Sequence, residues 1–89
     1  MMPVATRVVF NITTTFTEWA KVFDADRANQ EAAGIKVIFR GVSEKDPSTV
    51  MAILEAEPGV LAKHMEGNPN VEASGHIIGS EEFSNWRSS

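Results

Sequence analysis

The sequence contains no cysteine. That absence removes disulfides, thiolate metal sites, iron–sulfur clusters and cysteine nucleophiles. Basic charge is sparse: eight Lys and Arg, scattered singly, stand against twelve Asp and Glu, for a net charge of -4. Nucleic-acid binding rests on clustered cations facing phosphates, so it is excluded as a function. No apolar run approaches the ~20 residues of a membrane span, and the first residues lack the compact apolar core of a signal peptide. A soluble, cytoplasmic protein is expected, in which the sequon Asn11-Ile12-Thr13 is without use. His64 and His76 are the two histidines, twelve residues apart and without a His-x-x-x-His spacing. Neither a metal site nor a cofactor is expected. Internal repeats and low-complexity segments are missing too.

What is present suffices for one domain, residues 1–89. At that length, folding alone buries roughly 60–65% of the extended chain's surface, which makes a partner subunit physically attractive. A hydrophobic content of 43% with 22% charged residues is ordinary for a globular chain.

The chain is organised around Gly34–Glu57. Ile35–Val42 and Thr49–Ala56 are rich in Val, Ile, Phe and Leu, and the polar Ser43–Ser48 between them carries Asp46-Pro47. The pattern predicts an antiparallel hairpin. With Val42 opposite Thr49, one face pairs Gly41 with Val50, Phe39 with Ala52, Val37 with Leu54 and Ile35 with Ala56. The other pairs Arg40 with Met51, Ile38 with Ile53 and Lys36 with Glu55. Both sets are favourable cross-strand combinations, and a slip of one residue would destroy them.

Before the hairpin, Val4–Ile12 sets Thr6, Val8, Phe10 and Ile12 against Arg7, Val9 and Asn11, the alternation of a strand. Thr15-Phe16-Thr17-Glu18 has the form of a capping box. Phe16, Trp19, Ala20 and Phe23 then make one helical stripe, which places both aromatic rings of Trp19 and Phe23 in the core. The more polar Asp24–Ala33 is expected to fray or bend before Gly34 closes the helix. After the hairpin, Glu57-Pro58-Gly59 predicts a second helix with Pro58 in its first turn. Val60, Leu61, His64 and Met65 form its apolar side, and Gly67-Asn68-Pro69 ends it. Asn70–Ser74 is expected to add a helical turn, and a last strand is placed around Glu81–Trp86. Strand, helix, strand, strand, helix, strand gives an α+β, ferredoxin-like βαββαβ fold: a four-stranded antiparallel sheet with both helices on one face.

This order, together with Trp19, Phe23-Asp24, Ala33-Gly34-Ile35-Lys36, Arg40, Asp46-Pro47, Ala56, Pro58 and Ser74-Gly75-His76-Ile77-Ile78-Gly79, resembles the dimeric α/β-barrel superfamily. That group includes small cofactor-free monooxygenases and polyketide cyclases. Within it the chain looks most like a small family of uncharacterised marine cyanobacterial proteins. The resemblance implies a homodimer in which two sheets meet face to face. Independently, Val9, Ile38, Val42, Met51 and Ile53 are all expected to point away from the helices, more apolar surface than a solvated sheet face carries. Haem-degrading members of the superfamily use an Asn on the first strand, a His on the second helix and a Trp. Asn11 and His64 match the first two, but the third strand has no Trp. Quinone-forming members tend to use Tyr and Trp, and tyrosine is absent here, so no intact catalytic set is assembled.

The residues themselves suggest a ligand site inside the barrel: Arg7, Val9, Asn11, Ile38, Arg40, Met51 and Ile53 on the non-helical face, with His64 from the second helix. Lys36 and Glu55 read as a rim salt bridge, His64 as an edge-of-core residue and His76 as a turn residue. Arg40 has Met51 opposite and no acid partner on its strand pair. It is therefore free to meet the other subunit or the anionic group of a ligand. Three readings follow. The first is a binding protein for an elongated apolar molecule with an acidic end, fatty-acid-like. The second is a cofactor-free monooxygenase or cyclase on an aromatic or polyketide-like substrate. The third is a purely structural dimer.

Overall fold

Alternation along β1 (Val4–Asn11) gives the molecule its two sides: Thr6, Val8 and Phe10 are buried, while Arg7 and Asn11 are exposed. The computed structural model describes residues 4–66, 68–69, 73–77 and 79–87. After β1 come α1 (Phe16–Ala25), α2 (Arg27–Ala32), β2 (Lys36–Val42), β3 (Thr49–Ala56), α3 (Val60–Met65) and β4 (Glu82–Arg87). The strands form one antiparallel sheet in the order β2-β3-β1-β4. Val8, Phe10, Val50, Ala52 and Leu54 from the sheet pack with Trp19 and Ala20 of α1, and Val60 and Leu61 of α3 close over the same core. This is the expected ferredoxin-like α+β fold. Among the described residues, no helix is long and apolar enough to cross a membrane.

Local chemistry accounts for the element ends. Thr15 Oγ1 accepts the Glu18 amide at 3.2 Å and starts α1. The expected bend falls at Asp26, whose φ of -85° and ψ of 2° divide the first helix into α1 and α2. In the hairpin loop, Asp46 Oδ1 accepts the Ser48 amide (3.0 Å) and hydroxyl (2.6 Å), and the Ser43 amide donates to the Thr49 carbonyl (2.9 Å). The second helix begins later than expected: Pro58 precedes it, and Gly59 is its N-cap, with φ 84°. The last strand lies one residue beyond its expected place. Gly75 has φ 91°, and a Cβ there would meet Thr14 Oγ1 at 2.5 Å, so this junction beside β1 requires glycine. Of the helical turn expected at Asn70–Ser74, residues 70–72 lie outside the described residues.

The main correction concerns β2. Lys36 opposes Glu55 and Val37 opposes Leu54 as expected, but a β-bulge at Ile38 then shifts the register by one. Phe39 opposes Ile53, Arg40 opposes Ala52, Gly41 opposes Met51 and Val42 opposes Val50. Phe39, Arg40 and Val42 therefore change sides relative to the regular register. Phe39 leaves the core and lies 48% exposed with its ring against Gly41, where a Cβ would come within 2.8 Å of it. β2 is an edge strand, where bulges concentrate, because an unpaired outer side tolerates the extra residue. Ile35 does not join the strand, yet it is buried in the core.

The non-helical face is consequently apolar with a different membership. Val9, Met51 and Ile53 form its half-buried centre. Phe39 and Trp86, the latter 64% exposed, flank them. Trp86 opposes Ala5 on this side, and its Nε1 donates to Ser84 Oγ at 2.6 Å.

Candidate active site

Between the sheet and the helices lies a cavity of about 70 Å³, within a recess of about 620 Å³ that includes its open mouth. Its wall is aromatic. Phe10 and Trp19 have ring centroids 5.5 Å apart, Trp19 stacks on Phe23 at 4.7 Å, and His76 stacks on Phe10 at 4.3 Å. These rings meet because β1 turns its even-numbered residues toward the i, i+4 stripe of α1.

The polar end of the cavity is a product of the helix break. Trp19, Phe23, Asp26 and Gln30 fall at i, i+4, i+7 and i+11, so the apolar stripe continues inward as two polar residues. Asp26 is buried and accepts on both carboxylate oxygens. Asn29 Nδ2 reaches Oδ1 at 2.9 Å, while His64 Nε2 and Asn68 Nδ2 reach Oδ2 at 3.1 and 3.4 Å. With Nε2 turned to Asp26, the His64 ring is oriented by a carboxylate, and its other nitrogen, Nδ1, is the one left for proton transfer.

A second such pair stands by the same cavity. His76 is almost wholly buried, and its Nε2 meets Glu81 Oε1, which also accepts the Gly79 amide together with Oε2 (3.3 and 3.1 Å). Burial of Glu81 opposes its ionisation, but the bond from His76, the backbone amides and the charge of His76 outweigh it. The carboxyl is held below its usual value. Among the described residues, no group of three or more His, Asp or Glu could hold a metal ion.

The residues expected to share one ligand site are divided between the two sides of the sheet. Arg7, Val9, Asn11, Met51 and Ile53 lie on the non-helical face, and Ile38 occupies the bulge. Arg40 is on the helical side, where Nε and Nη2 bond to Asp24 Oδ1 and Oδ2 at 3.0 and 2.8 Å. Its guanidinium also sits over the Phe16 ring at 5.7 Å. It is thus neither free nor on the non-helical side, which corrects its expected placement. His64 is on the helical side as well, with the sheet between it and Asn11, so the Asn–His pairing implied by the haem degraders is not assembled. Asn11 Oδ1 instead accepts from Thr49 Oγ1 at 3.1 Å.

Sequence reasoning missed Asp26, Gln30 and Asn68 altogether and took His76 for a turn residue. The available signal was the pair of polar residues continuing the Trp19–Phe23 stripe.

A four-stranded antiparallel sheet with its helices on one face is a fold this chain shares with several solved structures. A candidate antibiotic biosynthesis monooxygenase of Caulobacter crescentus superposes with TM-score 0.67 at 18% identity, covering 99% of this chain and 91% of that one. A protein of Shewanella oneidensis gives 0.64 at 12%, covering 98% and 91%. SnoaB, a cofactor-independent oxygenase of Streptomyces nogalater, gives 0.59 at 11%, covering 100% and 95%. At these identities the likeness is one of fold. No curated protein matches the sequence. The chain belongs to the family described as domain of unknown function DUF3764, which it matches over residues 4–88.

Proposed function

We propose that this protein takes a small aromatic or enolisable molecule into the recess between sheet and helices, and that His64, held by Asp26, removes its weakly acidic proton. The observation that carries the reading is the convergence of two histidine–carboxylate pairs on one aromatic-walled cavity. An apolar surround lets a general base meet its substrate with little competing water, and a positioned base contributes about 10²–10⁴-fold to rate. A carbanion or phenolate formed there is electron-rich enough to react with dioxygen or to close a ring. The reading is therefore a cofactor-free monooxygenase or cyclase, in keeping with a fold shared with a cofactor-independent oxygenase. The fatty-acid-like alternative loses its main support, because the cation meant to hold the acid end is engaged by Asp24.

The apolar non-helical face is assigned in this proposal to a second copy of the chain. Phe39, Trp86, Met51 and Ile53 are an unusually apolar set for a solvated sheet surface. In that arrangement the ligand recess faces away from the interface, so each subunit carries its own site.

The test is dissolved-oxygen uptake by metal-free and flavin-free protein with hydroquinone, a dihydroxynaphthalene and anthrone. Uptake with at least one is expected, falling about 10²–10⁴-fold in His64→Gln. Absence of uptake, with none of the three shifting the resonances of Trp19 or His64, would overturn the proposal.

A further inference from the structure

Gln30 is 4% exposed and lines the cavity beside Asp26 and His64. Its Nε2 donates to the Phe23 carbonyl at 3.4 Å, which fixes the sense of the amide. Its Oε1 is buried and has no hydrogen-bond partner among the described residues. Buried polar atoms are nearly always paired, and an orphaned acceptor at a cavity wall calls for a donor. Four residues earlier on the same helical stripe stands a carboxylate, Asp26, which only accepts when ionised. An unpaired acceptor beside a carboxylate already engaged by Asn29, His64 and Asn68 favours a neutral O–H or N–H and disfavours an anion.

We infer that Gln30 Oε1 is the specificity-determining acceptor of the recess, and that the ligand is a planar ring molecule carrying a neutral hydroxyl or amine donor. The inference rests on the recess being the binding site, and it names the chemical class that site selects. The cavity volume of about 70 Å³ admits only part of a ring system, so a two-ring molecule would leave one end in the mouth. Donor recognition at such a site is strongly selective, because an analogue lacking the donor leaves the buried acceptor unpaired.

The experiment is a calorimetric titration of the full chain with β-naphthol, β-naphthylamine, β-naphthyl methyl ether and β-naphthoate, which share one ring system. In wild type, the naphthol and the amine should bind about 10- to 100-fold more tightly than the ether, and the naphthoate more weakly than the ether. Gln30→Met should bring the naphthol-to-ether ratio close to one, by weakening the naphthol while sparing the ether. A wild-type ratio near one, or a ratio unchanged in Gln30→Met, would overturn the assignment. Because Gln30→Met also removes the bond to Phe23, the side-chain carbonyl carbon resonance of Gln30 in wild type gives a second reading. It should move with the naphthol and not with the ether, and equal movement would also overturn the assignment. If both ligands shift Trp19 and His64 but bind with equal affinity, the role of Gln30 fails while the recess stands. If neither shifts them, the recess itself is not the site and both proposals fall.

Discussion

Arg40 on β2 grips Asp24 on α1 through two parallel bonds of 3.0 and 2.8 Å, tying the edge strand to the end of the first helix. The contact exists because the extra residue at Ile38 turns Arg40 toward the helices; in the regular register it would face the opposite side. The bulge thereby joins two elements that share no backbone hydrogen bonds.

Removing either partner should have a modest effect, because both side chains are partly solvated, 30% exposed for Arg40 and 44% for Asp24. Arg40→Met and Asp24→Asn are each expected to cost about 0.5–1 kcal/mol. A double-mutant cycle in urea should show most of that cost as coupling between the two. Additive costs would mean that the bulge is held by packing alone.

On the non-helical face, Ile53 lies opposite Phe39 and Arg7 at the centre of the apolar surface. Light scattering at micromolar concentration should give twice the 9.7 kDa chain mass. Met51→Glu, whose cross-strand neighbours Val9 and Gly41 offer no cation, should bury an unpaired charge at each contact, weakening association by about 3 kcal/mol or more. A monomeric wild type, or a variant that remains dimeric with unchanged stability, would assign this face to something other than a second copy.

The pH dependence follows from Glu81. Its folded-state carboxyl ionises below the ordinary value of 4.5, chiefly because its bonds from His76 and from backbone amides outweigh the opposing effect of burial. A depressed acid contributes stability in full above the unfolded-state value, and that contribution drains away as pH falls through the folded-state value. The stability difference between wild type and Glu81→Gln should therefore shrink on acidification below about 4.5. Thermal unfolding between neutral pH and strong acid measures it. A difference that grows on acidification would contradict the assignment.

The sequence by itself determined the faces and the order of the elements. Period-two alternation in β1 and β3 and the spacing of Phe16, Trp19, Ala20 and Phe23 carry that information locally. Asp46-Pro47 carries it for the hairpin loop, and together these suffice for a ferredoxin-like fold. Only the tertiary structure decided the bulge, since an extra residue on an edge strand leaves Ile38, Phe39 and Arg40 with no local mark of which one is unpaired. It also decided the site. Asp26 and His64 stand 38 positions apart and meet only when α1 and α3 pack on the same face of the sheet. A polar residue on an apolar stripe reads as a weak point of the helix until that packing supplies its partners.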